Sequence, residues 1–241
     1  MSRGKFQRFY KTVAVEAVDG AKNAAGFGVT LDGRRIKTPA KVEMILPGRG
    51  LAEAVAAEWD GQGEEVDPAA MPLTGLVWTA LDLVRPGRAR AIEDLAAYAA
   101  HDLLCYRAEA PTELVARQQE LWQPLLDWAA RTLDAPLNVT AGVISVAQPA
   151  ASLSALRGAV ESKDDFELTA LSGAVTAAGS LVIGLALGAG HIDAAAAFEA
   201  AQLDESYQIE RWGEDPEAVR RRAAIKADLE AAARLFALLE R

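Results

Sequence analysis

The chain has 241 residues, of which 51% are hydrophobic, 24% charged and 6% aromatic. This is the composition of a globular protein, not of a disordered or collagen-like one. Cys105 is the only cysteine, which excludes an intramolecular disulfide and a cysteine-built metal cage and fits a reducing compartment. The net charge of −9 argues against nucleic-acid binding as a property of the whole molecule.

The charge is distributed unevenly along the chain. Residues 1–41 hold nine Lys or Arg against three acidic residues, a net charge of +6, and the remaining 200 residues carry −15. A basic segment of this kind is either a docking surface for an anionic partner or the solvated face of a small β domain, and the sequence leaves both open. No apolar run of signal-peptide length follows Met1–Tyr10, so we expect a protein that is not exported.

The first fifty residues have the pattern of β-strands, with β-branched alternation and turn residues between the runs. Asp32-Gly33 forms a turn, and Pro39 and Pro47 end the last two runs. The predicted strands are 12–18, 26–31, 34–38 and 42–46, which together predict a small, twisted antiparallel sheet. The glycine spacing at Gly26 does not make a phosphate loop, because Leu31 occupies the third glycine position and no crossover helix follows.

From Arg49 onward the apolar period is helical, since Leu51, Val55 and Trp59 recur at four-residue spacing. The predicted helices are 49–60, 74–83, 88–103, 111–133, 150–162, 164–188, 193–212 and 215–239, with a short extended piece at 139–146. The fold class is therefore α+β, with a small antiparallel β-rich domain followed by a larger all-helical domain. We place the basic domain at 1–65 and the acidic helical domain at 66–241.

One helical segment, Leu168–Ile192, has 25 residues without Asp, Glu, Lys or Arg, which is long enough to span a bilayer. Its Ala, Gly, Ser and Thr content offsets the aliphatic side chains, and no Lys/Arg asymmetry flanks it. These properties favour a buried central helix, with no stable membrane insertion. Small residues such as Gly184 would let neighbouring helices pack closely.

Few residues offer catalytic chemistry. His101 and Cys105 stand four apart, so on a helix an imidazole would reach the thiol, as in a small cysteine-dependent hydrolase or transferase. The alternative is that Cys105 is a small buried hydrophobic residue. His191 follows the uncharged helix, and two isolated histidines do not make a metal site. The sequence predicts neither a metal nor a cofactor.

An acidic residue lies within an apolar stripe of the predicted 193–212 helix. At 100° per residue five positions fall in a sector of about 80°: Phe198, Gln202, Glu205, Ile209 and Trp212. A carboxylate there must be paired within the protein, be protonated, or face a partner that supplies a cation. Asp204 and Arg211 are expected to point to solvent. Trp59, on the helix that joins the two domains, is either core or the anchor of a groove.

The order and spacing of nine segments resemble those of the chaperones that bind the free alpha subunit during assembly of the F1 sector of ATP synthase. The segments are Arg8-Phe-Tyr-Lys11, Leu31-Asp-Gly-Arg34, Lys37-Thr-Pro39, Ala57-Glu-Trp59, Met71-Pro-Leu-Thr74, Leu103-Leu-Cys-Tyr-Arg107, Gln119 to Trp122, Leu203-Asp-Glu-Ser-Tyr-Gln208 and Trp212-Gly213. The resemblance covers nearly the whole chain. It implies a non-catalytic protein that keeps unassembled alpha subunit from aggregating until the beta subunit replaces it.

The resemblance implies that partner-binding positions fall on Trp59 and Glu205, with Asp204 beside it, and Trp212 completes the predicted contact set. We expect Trp59 and Glu205 to lie near one groove at the domain junction. Eukaryotic members of the family are mitochondrial, whereas this chain is expected to be a bacterial, cytoplasmic relative that acts as a monomer. The remaining alternative is that the +6 segment binds RNA or anionic lipid, which is disfavoured because Phe27 is the only aromatic on its strands.

Overall fold

The computed structural model describes residues 4–18, 26–142 and 144–239. It confirms the predicted class, a small antiparallel β region at the N-terminus and a larger helical part. Of the residues that make up the basic N-terminal segment, Arg3, Asp19 and Lys22 lie outside the described residues, as does Val143 of the predicted extended piece.

The chain packs as two compact units that differ from the predicted domains. The first consists of Met1–Arg88, Asp165–Thr169 and Arg234–Arg241, and the second of Ala89–Asp164 and Ala170–Ala233. The first unit extends beyond residue 65 because later segments bind to it. Asp165, for example, forms ion pairs with Arg85 (Nε–Oδ2 3.0 Å) and Arg88 (Nη1–Oδ1 3.2 Å).

The sequence predicts a small antiparallel sheet, and the described part of the first unit contains two: a four-stranded sheet built around one central strand, and a separate pair of strands. The strands are β1 (Phe6–Gln7), β2 (Val13–Val18), β3 (Gly26–Leu31), β4 (Arg34–Arg35), β5 (Ile45–Leu46) and β6 (Glu65–Val66). Strand β3 pairs antiparallel with β2, β4 and β5, with Val15 opposite Val29, while β1 pairs with β6. The Asp32-Gly33 turn joins β3 to β4 with positive φ at both residues, +49° and +75°. β4 is shorter than predicted, since only an isolated bridge from Lys37 to Glu43 continues the pairing.

Helix α1 (Arg49–Asp60) covers β2 and β3 and buries Leu51, Val55 and Trp59, the residues of the four-residue pattern. It also fixes the start of α2 (Pro72–Thr79). The Glu58 carboxylate accepts hydrogen bonds from the backbone N–H groups of Leu73 and Thr74, each at 2.8 Å, which caps that helix N-terminus. Helix α2 begins two residues earlier than predicted and continues through a π-helical turn at Ala80–Val84.

Two short parallel strands and the remaining helices follow. They are α3 (Arg88–Ala97), β7 (Tyr106–Arg107), α4 (Thr112–Thr132), β8 (Thr140–Ala141), α5 (Ala150–Glu161), α6 (Asp165–Ala178), α7 (Leu181–Gly188), α8 (Ala194–Ala201), α9 (Leu203–Trp212) and α10 (Pro216–Leu239). In the second unit α4 packs against α7 and α9. Its core is formed by large buried side chains, among them Trp122, Leu156, Leu171, Leu181, Ile183 and Leu229.

The predicted 164–188 helix is wrong, because the uncharged segment folds as two helices. Gly179 adopts a positive φ of +68°, and the Ser180 hydroxyl accepts a hydrogen bond from the backbone N–H of Ile183, so that α7 starts anew. None of the helices in the described ranges has the length and apolar content to cross a membrane. Close packing at Gly184 is confirmed, since a Cβ there would lie 2.6 Å from Cγ2 of Val175.

Candidate functional site

The four predicted contact residues belong to different parts of the fold. Trp59 lies in the first unit, whereas Asp204, Glu205 and Trp212 lie on α9 in the second. The hypothesis that Trp59 and Glu205 share one groove stays a prediction.

Trp59 is buried, with 5% of its surface exposed, so of the two alternatives that the sequence left open it takes the core position. Its ring packs edge-on between Tyr10, at a centroid distance of 5.7 Å, and Trp78, at 6.4 Å. The Tyr10 hydroxyl donates to the Trp59 carbonyl oxygen at 2.6 Å, which ties the Arg8-Phe-Tyr segment to α1. The Trp59 Nε1–H is buried and has no acceptor within the described residues, at a cost of about 1–3 kcal/mol.

Trp59 nevertheless lines an open cleft of about 640 Å³, which we call the aromatic–basic cleft. Its apolar lining is Phe9, Tyr10, Leu31, Ile36 and Trp59, and its charged lining is Asp32, Arg34, Arg35 and Lys37. Phe9 is 69% exposed and contacts the Tyr10 ring edge-on at 5.4 Å. The cleft therefore combines an apolar wall, of which Phe9 is the exposed part, with a basic rim.

The charges of the aromatic–basic cleft are only partly balanced within the protein. Arg35 forms an ion pair with Glu16. The Asp32 carboxylate accepts hydrogen bonds from the backbone N–H groups of Lys11 and Thr12, which hold the pKa of Asp32 below its usual value. Arg34 and Lys37 are exposed and form no ion pair in the part of the chain that the structure describes.

The single helix predicted for 193–212 is also wrong, because the chain breaks at Gln202 between α8 and α9. The predicted five-residue stripe is interrupted by this break, and α9 buries Leu203 and Tyr207 instead. Glu205 is thus displaced from an apolar face. Its Oε1 accepts from Nη2 of Arg221 on α10 at 3.0 Å, which is the internal ion pair that the sequence left open as one alternative.

Asp204 does not point to solvent, contrary to expectation. Its Oδ1 accepts from Nε2 of Gln118 at 2.7 Å, and Gln118 is buried on α4. The Gln118 carbonyl oxygen in turn accepts from Nη1 of Arg107 at 2.7 Å, and burial lowers the pKa of that guanidinium. Asp204 is therefore the outer end of a buried polar network that fixes α9 against α4.

Charged side chains from α4 and α9 form a second layer outside this network. Arg117 pairs with Glu210 at 2.8 Å, and Arg211 pairs with Glu113 at 2.5 Å. Both guanidinium groups lie over the Tyr207 ring, at 5.4 Å and 4.5 Å from its centroid. Arg211, expected to point freely to solvent, is instead part of this layer although it remains exposed.

Trp212 is 76% exposed at the C-terminal end of α9, where Gly213 ends the helix with a φ of +85°. An exposed indole at a helix end is a frequent anchor in protein interfaces. We refer to Asp204, Glu205 and Trp212 of α9, together with Arg221 of α10, as the α9 surface.

The alternative catalytic pair is not assembled. Helix α3 ends at Ala97, so His101 and Cys105 do not share a helix face, and Nδ1 of His101 lies 3.1 Å from the Tyr106 hydroxyl oxygen. Cys105 is fully buried, and burial raises the pKa of its thiol to about 12. A thiol with this pKa is not a nucleophile at neutral pH.

The neighbouring Asp102 has a structural role. Its buried carboxylate accepts from the Ser180 hydroxyl at 2.7 Å and from the backbone N–H of Val182 at 3.1 Å, which holds the start of α7. His191 stacks on Trp128 at a centroid distance of 5.2 Å. Within residues 4–18, 26–142 and 144–239 there is no group of three or more His, Cys, Asp or Glu that could hold a metal ion.

Sequence reasoning missed Phe9, Tyr10 and Gln118 as parts of these surfaces. The adjacent Arg8-Phe-Tyr-Lys11 segment, with aromatic and basic residues interleaved, was the signal for the cleft. Gln118 shares an apolar stripe of its helix with Trp122, but that pattern does not reveal its partner Asp204, which is 86 residues away in the sequence.

Comparison with known proteins gives consistent matches along the chain. Residues 7–130 match the family model described as ATP12 chaperone protein. The mitochondrial protein atp12 of Schizosaccharomyces pombe is 26% identical over 220 residues, which cover 86% of this chain and 74% of that protein. The crystal structure of Atp12 from Paracoccus denitrificans is 43% identical with a TM-score of 0.92, covering 97% of this chain and 98% of that one. A putative chaperone from Agrobacterium tumefaciens is 38% identical with a TM-score of 0.92, covering 98% and 87%.

Proposed function

Because the chain belongs to the ATP12 family of F1-ATPase assembly chaperones, we propose that it binds the unassembled alpha subunit of F1, prevents its aggregation and releases it to the beta subunit. The likeness to the Atp12 structure over nearly the whole chain carries this proposal. The protein acts as a monomer in the bacterial cytoplasm and uses no cofactor. The single buried cysteine fits a reducing compartment.

The α9 surface is suited to the contact that such a chaperone makes. A client surface that is later buried against its true neighbour is apolar, and the exposed Trp212 indole offers it an apolar anchor. Glu205 is half-buried and its present partner, Arg221, is well exposed. A client cation can therefore take the place of Arg221 without unfolding any part of the chaperone.

The function is tested by diluting denatured alpha subunit into buffer that contains the purified chain or, as a control, serum albumin. Light scattering should fall with added chain and reach its minimum near equimolar concentration. Addition of beta subunit should then release the chain, as seen by size-exclusion chromatography. Scattering that is unchanged by the chain, or a complex that beta subunit does not displace, would overturn the proposal.

The contact residues are tested with a matched pair of variants. Trp212 and Ile144 are both 76% exposed, so neither substitution to Ala creates a cavity. Trp212→Ala should weaken alpha-subunit binding by about 10-fold or more, the loss typical of an interface anchor. Ile144→Ala should leave it unchanged. Equal affinities for the two variants would remove Trp212 from the contact.

Trp59 requires a conservative substitution because it is buried. Trp59→Ala would open a core cavity and cost about 3–5 kcal/mol, so a loss of binding would report only on folding. Trp59→Phe keeps most of the packing and removes the indole N–H. A folded Trp59→Phe variant with weaker alpha-subunit binding would support the predicted contact.

A further inference from the structure

The aromatic–basic cleft offers a pocket for one large apolar side chain. Its apolar side is formed by rings that pack against each other, from the exposed Phe9 through Tyr10 to Trp59, with Ile36 beside them. The volume of about 640 Å³ is that of a site for a ligand of moderate size. A short peptide segment with one aromatic or large aliphatic side chain fits a cleft of this size and chemistry.

The rim of the cleft selects for negative charge. Arg34 and Lys37 are exposed and without an ion pair in the described part of the chain, so their charge is free to act on a ligand. The carboxylate of Asp32 does not cancel them by direct contact, because its oxygens are engaged by Lys11 and Thr12. Carboxylates of a bound segment would supply the missing partners.

We propose that the aromatic–basic cleft binds an acidic protein segment in which a large apolar side chain is flanked by Asp or Glu. This inference rests on the proposed function, since the client supplies the segment. The apolar side chain packs against Phe9 and Tyr10, and the flanking carboxylates pair with Arg34 and Lys37. The first unit thus contributes a client contact in which the chaperone supplies basic residues, whereas the α9 surface supplies acidic ones.

An acidic peptide accounts for the cleft better than a phosphate ligand does. Phosphate sites are built from successive backbone N–H groups of a glycine-rich loop or a helix N-terminus. In the cleft the backbone N–H groups of Lys11 and Thr12 are already occupied by the Asp32 carboxylate, so they are not available to hold a phosphate. RNA and anionic lipid are therefore the competing outcomes of the test.

The test uses the full chain and a fluorescent peptide of about twelve residues with a central Phe flanked by Glu and Asp. A matched peptide carries Gln and Asn in their place, and an oligouridylate of similar length serves as the nucleic-acid probe. In anisotropy titrations up to about 1 mM, the acidic peptide should bind at least about 10-fold more tightly than either of the others. Its affinity should fall with added salt.

The cleft is tested by charge reversal. The double variant Arg34→Glu/Lys37→Glu should bind the acidic peptide about 10-fold more weakly than the wild type, or weaker still. The control Arg220→Glu/Lys226→Glu changes the net charge equally, at exposed positions of α10, and should bind as the wild type does.

The outcomes separate this inference from the proposed function. If wild-type chain protects alpha subunit and Arg34→Glu/Lys37→Glu protects it equally, with no preference for the acidic peptide, the cleft assignment is wrong and the chaperone function stands. If the chain does not protect alpha subunit, the peptide titration still measures the selectivity of the cleft. Tighter binding of oligouridylate, or binding of vesicles with phosphatidylglycerol but not of the peptide, overturns the inference.

Discussion

Glu205→Gln separates a folding role of this carboxylate from a binding role. The substitution keeps the side-chain volume and removes the charge that faces Arg221. The pair has side-chain exposures of 30% for Glu205 and 60% for Arg221, so solvent screens most of its attraction. Exposed pairs contribute about 0.2–1 kcal/mol to the free energy of unfolding. In a chain of this length, about 0.5 kcal/mol corresponds to a melting temperature lower by roughly 1–2 °C.

The effect on binding should be much larger. If Glu205 meets a client cation, Glu205→Gln should weaken alpha-subunit binding by about 10-fold, as loss of a partly buried charge pair does. Arg221→Gln removes the same internal ion pair from its other end and is the matched control. Arg221→Gln should lower the melting temperature by a similarly small amount. Alpha-subunit binding should be kept or become tighter, because the carboxylate is still present and no longer has an internal partner to exchange.

Calorimetry of unfolding measures the melting temperature, and titration with alpha subunit measures the affinity for the client. A fall in melting temperature of more than about 6 °C would show that Glu205 is an element of the fold and not a contact residue. Equal losses of affinity for Glu205→Gln and Arg221→Gln would show that the ion pair, and not the carboxylate, is what the client needs. Either result would refute a direct contact between the Glu205 carboxylate and a client cation.

Three further predictions concern the fold. Gly184→Ala should lower the free energy of unfolding by about 1 kcal/mol, because overpacking against Val175 outweighs the gain in helix propensity. At Gly158 a Cβ meets nothing within 4 Å, so Gly158→Ala should raise the free energy of unfolding by about 0.5–1 kcal/mol, as measured by urea unfolding. Folding lowers the pKa of Asp32, so the ionised carboxylate stabilises the protein above its unfolded pKa of about 3.8, and this contribution is lost as the pH falls below that value. Urea unfolding at neutral pH and near pH 3 should show that the wild type loses more stability between the two pH values than Asp32→Asn does. Cys105 should resist thiol reagents at pH 8 in the native protein and react fully in guanidinium chloride, and rapid native labelling would contradict its burial.

The elements that the sequence predicts correctly are those set by local patterns. The β-branched and alternating runs were enough to place β2 and β3, and four-residue spacing placed α1 with its buried face. Helices α4, α5 and α10 also lie within a few residues of their predicted bounds. In each case the boundary is marked by a nearby proline or by the end of the apolar pattern.

The errors arise where a helix is interrupted without a change in hydrophobicity. The chain between α6 and α7 is apolar on both sides of the break, so periodicity alone does not reveal it. The signal was the Gly179-Ser180 pair, a left-handed glycine followed by a capping serine. The break at Gln202 has no such pair and depends on tertiary contacts, as does the burial of Gln118.

The two candidate contact surfaces differ in how their charges are already used, and this difference bears on release of the client. At the α9 surface Glu205 has an internal partner, so a client cation must displace Arg221, and the free energy gained on binding is reduced by the loss of that ion pair. At the aromatic–basic cleft Arg34 and Lys37 have no internal partner among the described residues, so a client carboxylate gains the interaction in full. Arg34 and Lys37 are exposed and Glu205 is partly exposed, so salt screens both sets of charges, those of the cleft more strongly. We therefore expect the client complex to be weak enough for displacement by the beta subunit, and to lose affinity with salt mainly through the cleft. That expectation is checked by measuring alpha-subunit affinity as a function of salt concentration for Glu205→Gln and for Arg34→Glu/Lys37→Glu. The affinity of Arg34→Glu/Lys37→Glu should depend less on salt than that of Glu205→Gln.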